Sequence, residues 1–359
     1  MNIQGETPVP LLKPRHDSMT TIERLHARGI LRTGSPARGF KYKHADGKKI
    51  SAEDRTRIDD LKIPPAWTDV AISAAPTGRV QVVGQDAAGR WQYLYHDSHI
   101  RNQQRQKFKR LINFGESLPA MRKTVRQDLQ QSDLSRERVM ASILRILSMS
   151  FIRPGSEVYA SENGSYGIAT LRPRHVSVRG DEIVFEFTGK AGKSHRHQIR
   201  DRQIARVLKE LLKYSNRRVF KYRNGDGIFV DVKSDAINRY IKEVMGHRFT
   251  AKDFRTWAGT LICACALARS MNSNNVKVPP ARKIVAAINE TAGALGNTPA
   301  ISRDSYICPE VIRSFEKGQV LKRYFEDIKQ LIAYRGLKLH PAERALLRLL
   351  KKQEHQDSH

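Results

Sequence analysis

The sequence predicts an α+β fold: a small β-rich N-terminal domain over residues 1–110 and a larger, mostly α-helical domain over 111–359 with an antiparallel hairpin or sheet embedded in it. Three observations carry this. Between Gly39 and Tyr95, short runs alternate apolar and polar residues, the period of a half-buried strand. From about Lys107 the apolar residues recur at helical spacing, as in "ERVMASILRILSMSFI". Inside that helical part, "HVSVRGDEIVFEFTGKAGKSHRHQI" returns to glycine-punctuated alternation and reads as two or three antiparallel strands.

Residues 1–35 carry prolines, mixed charge and weak periodicity, which suits an arm or, in part, a short helix around Met19–Arg28. "GFKYKHADGKKI" places two short alternating segments about Asp46-Gly47, a hairpin cue. "VQVVGQDAAGRWQYLYH" repeats the pattern, with Trp91, Tyr93 and Tyr95 at period two. In the second domain, helices are predicted at "RQIARVLKELLKYS", "AKDFRTWAGTLICACALARS" and "ARKIVAAINETAGAL". "SDAINRYIKEVMG" is another, with Ser234 or Asp235 as N-cap and Gly246 as stop. Two more helix-like runs follow Pro309, and the polar end "KKQEHQDSH" is expected to fray.

Against 36 acidic residues stand 64 Lys and Arg, a formal net charge of +28. Such a field says nothing about fold but attracts polyanions, and nucleic acid leads because each neutralised phosphate releases counterions. No apolar run reaches 18 residues and no signal peptide is evident, so neither membrane insertion nor export is expected. The three cysteines lack disulfide or zinc spacing and read as structural thiols in a reducing cytoplasm. There is no GxxxxGK[ST] loop, no HExxH and no acidic cluster for magnesium, so neither ATP nor a metal cofactor is indicated.

What remains is a set of basic residues in apolar or glycine-rich frames, and one tyrosine. Arg153 ends an apolar helix at a Pro-Gly break, Lys190 sits in the turn "FTGKAGK", and Arg255 lies between Phe254 and Trp257 in "TAKDFRTWAGT". Each has a bland reading alone: a helix C-cap, a solvated tip, an ion pair with Asp253. Tyr306, in "LGNTPAISRDSYICP", fits no apolar pattern and is a surface ring, a stacking platform or a nucleophile on a loop-like segment rich in Gly, Pro, Ser and Asp. His175, His195 and His197 read as structural or solvated.

Taken in order, these motifs resemble the bacterial and poxvirus-type DNA topoisomerases IB. The resemblance runs from about Gly39 to Glu316 and rests on "GFKYKHADGKKI", "LKIPPAWTDV", "GRWQYLYH", "LPAMRKTVRQDL", "IRPGSEVYASENGSYGIATLRPRHV", "FEFTGKAGK", "TAKDFRTWAGT" and "LGNTPAISRDSYICPEVI". It implies a catalytic set of Arg153, Lys190, Arg255, Asn297 and Tyr306. Tyr306 would form a 3′-phosphotyrosyl bond with double-stranded DNA, the duplex would swivel, and the freed 5′-hydroxyl would attack back, without ATP, metal or other cofactor. The arginines suit the charge that gathers on phosphate oxygens, and Lys190 suits proton donation to the leaving oxygen. Asn297 departs from the poxvirus pattern, which has histidine there; an amide still donates to a phosphate oxygen but carries no charge.

The resemblance further implies a monomeric, C-shaped clamp on DNA, in the cytoplasm of a bacterium and associated with its nucleoid. DNA contacts would come from Gln92, Tyr93 and Tyr95 in the major groove and from Tyr159, with Arg105, Lys107 and Lys109 as backbone neutralisers. Tyrosine recombinases share the Arg-Lys-Arg-Tyr logic, but they carry histidine where this chain has Lys252, and their N-terminal domains are helical. A non-enzymatic architectural DNA binder would explain the charge and leave the ordered constellation unexplained.

Overall fold

Thr20 and Glu23 start the first described helix by capping each other: the Glu23 amide donates to Thr20 Oγ1 (3.2 Å) and the Thr20 amide to Glu23 Oε2 (2.7 Å). The computed structural model describes residues 19–246, 249–272 and 278–356, and the chain divides into two compact units, 1–106 and 107–359.

In the first unit, α1 (Thr21–Arg28) leads into β1 (Ile30–Ser35) and β2 (Gly39–His44). Helix α2 (Ala52–Asp60) follows, then β3 (Thr68–Ile72), β4 (Val80–Gln85) and β5 (Trp91–Tyr95). The strands form one antiparallel sheet in the order β2-β1-β3-β4-β5. Both sheet faces are covered. Ile30, Ile72 and Val82 pack with Ile58 of α2, while Ala71, Val80 and Val83 pack with Leu25 of α1. That is why the Val80–Val83 run is buried throughout instead of alternating.

Two expectations need correcting here. The Asp46-Gly47 turn exists, with Gly47 at φ +85°, but beyond it only a Lys43–Lys49 bridge forms. Strand β2 pairs with β1 instead, because Ser51 caps α2 and draws the chain into a helix. Of residues 1–35, the first 18 lie outside the described residues; the short helix expected around Met19–Arg28 forms as α1, but β1 follows it directly from Ile30, where no strand was expected.

Helix α3 (Asp97–Asp128) crosses the boundary between units and begins ahead of Lys107. In the second unit, α4 (Arg136–Ser150) is buried along most of its length, and α5 (Glu157–Glu162) follows. The embedded sheet is β6 (Val176–Arg179), β7 (Glu182–Thr188) and β8 (Ser194–Arg200), three antiparallel strands. Helix α6 (Arg202–Tyr214) precedes a short hairpin, β9 (Lys221–Arg223) with β10 (Phe229–Asp231). Helix α7 (Ser234–Met245) stops at Gly246 as expected, but its N-cap is Lys233, one residue early and without a side-chain bond.

Helix α8 (Ala251–Asn272) is buried on every side from Phe254 to Ala268, the mark of a helix through the middle of a core. After it come α9 (Pro280–Leu295), α10 (Pro299–Tyr306), α11 (Pro309–Glu316), α12 (Ile328–Ala333) and α13 (Pro341–Gln356); all but α12, which packs on α4 and β8, lie against α8. The fray expected from residue 351 does not occur up to Gln356, because Gln353 is buried and donates to Gln319 Oε1 (3.3 Å). All three cysteines are free and buried, and burial pushes the Cys263 and Cys265 thiols up to about 12.

Candidate active site

Tyr306 does not sit on a loop. Thr298 caps α10 through Ile301 N (3.3 Å), Pro299 occupies the first helical position, and Tyr306 is the last helical residue. Pro309 then opens α11. The Thr-Pro and Cys-Pro pairs were the local signal for this pair of helices.

The nucleophile candidate is held by α8. Thr260 Oγ1 donates to the Tyr306 carbonyl and accepts from the Cys308 amide, both at 3.1 Å. Gly259 permits the approach, since a methyl there would lie 2.9 Å from the Tyr306 oxygen and 3.1 Å from its Cβ. The same helix carries Arg255, whose guanidinium lies 4.9 Å from the centre of the Tyr306 ring. One rigid element therefore sets both the phenol and the cation beside it. Behind α10, Lys107 of α3 donates to the Ser305 carbonyl (2.5 Å). Burial, then the neighbouring Lys252, pulls the Lys107 ammonium down to about 8.

Arg255 is 3 % exposed and has no carboxylate partner among the described residues; Asp253 pairs with Arg110 instead. Arg255 donates to the Phe151 carbonyl, to Leu295 O (2.9 Å) and to Asn297 Oδ1 (3.2 Å). Burial and then Arg153 lower it to about 10, so it keeps its charge at neutral pH.

Arg153 reaches the same place from the end of α4. Phe151 closes that helix in the left-handed region at φ +55°, a strained conformation for a bulky residue, costing on the order of 1–3 kcal/mol. The turn directs the Phe151 carbonyl to Arg255 and lets Arg153 donate to Asn297 Oδ1. Gly167 backs this segment closely: a methyl there would be 2.6 Å from the Arg153 carbonyl oxygen.

Asn297 is thus the meeting point. Gly296 ends α9 at φ +62°, and Asn297, 9 % exposed, accepts from both guanidiniums through one amide oxygen. Its Nδ2 is buried without a hydrogen-bond partner. For Tyr306, burial raises the phenol, but Arg255, Arg153 and Lys252 outweigh it and leave the phenol below its ordinary value. Lys190 is exposed at the β7–β8 tip and lines a small pocket with Arg153, His195 and Arg255. Arg153, Arg255, Asn297 and Tyr306 are joined by contact, and Lys190 borders them.

The expected DNA contacts are spread over the chain. Tyr93 and Tyr95 are exposed on one face of β5 with ring centres 6.3 Å apart, so they are not a core pair. Gln92 faces the other way and donates to Asp86 Oδ2 (2.9 Å). Arg105 is exposed on α3, and Tyr159 is exposed on α5. Lys107 points inward to α10, as described above, and Lys109 pairs with Glu354 at 3.8 Å.

Comparison with known proteins decides what this geometry belongs to. The family model described as the catalytic core of eukaryotic DNA topoisomerase I matches residues 97–332. The chain belongs to the DNA topoisomerase I family. Residues 39–86 also match the N-terminal domain of bacterial DNA topoisomerase IB, which places the chain with the type IB enzymes. A DNA topoisomerase 1B of Acanthamoeba polyphaga mimivirus is 34% identical over 309 residues, covering 84% of this chain and 91% of the relative. The DNA topoisomerase 1B of vaccinia virus (strain Copenhagen) is 26% identical over 284 residues, 77% of this chain and 87% of the relative. The DNA topoisomerase 1 of Schizosaccharomyces pombe is 26% identical over 156 residues, 42% of this chain and 18% of the relative.

Sequence reasoning missed four features of this candidate site: the Asn297 oxygen shared by two arginines, the Phe151 turn, the Thr260 anchor and the Lys107–Ser305 bond. Three of these are long-range pairings that no local pattern announces. The Phe151 turn had only the following Arg-Pro-Gly as a hint.

Proposed function

We propose that Tyr306 is the nucleophile with which this type IB topoisomerase relaxes supercoiled double-stranded DNA, and that Arg153, Arg255, Asn297 and Lys190 serve its transition state. The observation that carries the assignment is the convergence of both guanidiniums on one Asn297 oxygen beside the Tyr306 ring. Tyr306 first loses its proton to solvent, and the phenolate Oη then attacks the phosphorus, forming a 3′-phosphotyrosyl bond while the bond to the 5′ oxygen breaks. Lys190 gives that oxygen its proton. The cut strand swivels about the intact one, and the 5′-hydroxyl attacks back to expel the phenol.

The arginine forks and the free Asn297 amide donors bind the charge that builds on the non-bridging oxygens. The phosphotyrosine conserves the bond energy, so the cycle needs neither ATP nor a metal. Among the described residues no group of three or more His, Cys, Asp or Glu is placed to hold a metal ion.

The same reading assigns residues 1–110 to DNA binding, through the exposed Tyr93 and Tyr95, and residues 111–359 to catalysis. Two DNA-binding domains in one chain suit a C-shaped clamp that works as a monomer. The bacterial N-terminal domain match supports a role on the nucleoid of a bacterium. No helix among the described residues is long and apolar enough to cross a membrane.

The test is relaxation of supercoiled plasmid in EDTA without ATP, with the parent chain beside Tyr306→Phe. Relaxation by the parent alone, together with a denaturant-trapped DNA adduct that maps to Tyr306, is the expected result. A folded parent that leaves the plasmid supercoiled sinks the activity; a Tyr306→Phe protein that still relaxes it sinks the assignment.

A further inference from the structure

His195, on β8, takes no part in the reaction above, yet two glycines of the site are shaped around its ring. A methyl placed on Gly189 would lie 2.4 Å from His195 Cδ2 and 2.6 Å from Nε2, and the three nearest atoms it meets all belong to His195. A methyl placed on Gly296 would lie 2.2 Å from His195 Cε1. Gly189 directly precedes Lys190, and Gly296 directly precedes Asn297. Gly189 has φ −102°, which any residue adopts, so only the ring explains the need for glycine there. The ring is buried and stacks on Phe187 (5.4 Å, 17°) and His197 (5.6 Å, 11°).

We propose that His195 is a positioning residue, a wedge that fixes the Lys190 tip against the Asn297 turn so that the proton donor and the arginine cluster keep one separation. The proposal rests on the roles given to Lys190 and Asn297 above. Besides the ring, only the base of the tip is tied to another segment, by Ser165 Oγ donating to the Gly189 carbonyl (3.1 Å) and the Tyr166 amide donating to Thr188 O (2.8 Å); Lys190, Ala191 and Gly192 are exposed, and the Gly189–Lys193 bond (2.8 Å) closes the turn upon itself. Burial, then Arg153, Arg255 and Lys193, hold the imidazole below its ordinary range, so at neutral pH it is an uncharged plate suited to packing.

The test is a double-mutant cycle read by single-turnover DNA cleavage. A misplacement of about 1 Å costs up to ~10²-fold in rate, so Gly189→Ala, which forces the ring aside, should slow cleavage by roughly 10- to 100-fold. In a His195→Ala background the added methyl meets no ring, and Gly189→Ala should then change the rate less than about threefold. His195→Phe, which keeps the plate, should cleave faster than His195→Ala.

A substrate whose leaving 5′ oxygen is replaced by sulfur, which departs without a proton, shows where the wedge acts. The His195→Ala defect should shrink on it, as should that of Lys190→Ala. An equal Gly189→Ala penalty in both backgrounds overturns the wedge, and so does a His195→Ala protein that cleaves at the parent rate. A Lys190→Ala defect that sulfur does not relieve overturns the role of Lys190 instead, and the cycle at Gly189 still reads the wedge.

Discussion

Exchanging Arg255 for lysine keeps the positive charge and removes the fork. In the structure the two terminal nitrogens of Arg255 are spent on Phe151 O, Leu295 O and Asn297 Oδ1, and the buried Nε has no partner. An ammonium places its donors on one atom and cannot meet separate carbonyls and a phosphate together. Loss of one preorganised donor to the transition state is worth about 3–4 kcal/mol, or roughly 10²- to 10³-fold in rate. A buried carbonyl left unmet adds about 1–3 kcal/mol against folding, so Arg255→Lys should also melt several degrees lower.

The assay is single-turnover formation of the covalent adduct on a linear duplex, resolved on a denaturing gel at several pH values. Arg255 is also the first of the cations that lower the Tyr306 phenol against the opposing effect of burial. Phenolate is the attacking form, so the parent rate should rise with pH and level off below about pH 10, the ordinary phenol value. In Arg255→Gln the plateau should move to higher pH. Arg255→Lys cleaving within threefold of the parent, or an unmoved pH profile in Arg255→Gln, would refute the role assigned to this side chain.

Three further outcomes follow from other contacts. Lys107→Met removes the donor to Ser305 O, so cleavage should fall about five- to tenfold, for roughly 1 kcal/mol, with an unchanged salt dependence of DNA binding. A salt slope reduced by about one would instead make Lys107 a phosphate contact. Glu343 is buried and accepts from both terminal nitrogens of Arg122 (2.9 and 2.8 Å) and from the Trp257 indole (3.3 Å). Glu343→Ala leaves Arg122 without its carboxylate, with only the Lys338 carbonyl and the Tyr334 ring beside it, and should cost about 3–5 kcal/mol in denaturant unfolding. Burial lowers His175, His195 and His340, and burial with His195 lowers His197 to about 4. Their folded-state values lie below the unfolded ones, so the folded chain binds fewer protons than the unfolded chain. The contribution to stability is therefore complete above about pH 6.5 and lost as pH falls toward 4, which melting curves across that range will show.

The sequence by itself determined the residue types and their order. Its alternating and helical periods placed the β-rich part, the embedded strands and the long helices, because these periods are local consequences of burying one face. The two arginines and the lysine each had a bland local reading; the order of their motifs with the tyrosine's, and its resemblance to the type IB topoisomerases, set the group apart. Local pattern failed where tertiary contact overrode it. The Asp46-Gly47 turn opened no more than a single bridge because Ser51 starts a helix, and the polar C-terminal run stayed helical because Gln353 is buried.

Only the tertiary structure decided how the site is built. Arg153 and Asn297 are 144 residues apart, yet they share a hydrogen bond that Arg255 joins from a third element. No spacing rule encodes such a pairing, since it depends on how α4, α8 and the end of α9 pack. The same packing turned Lys107 from an expected surface cation into a brace behind α10, and closed two glycines around His195. Sequence named the candidate groups; the packing of buried helices set the distances between them.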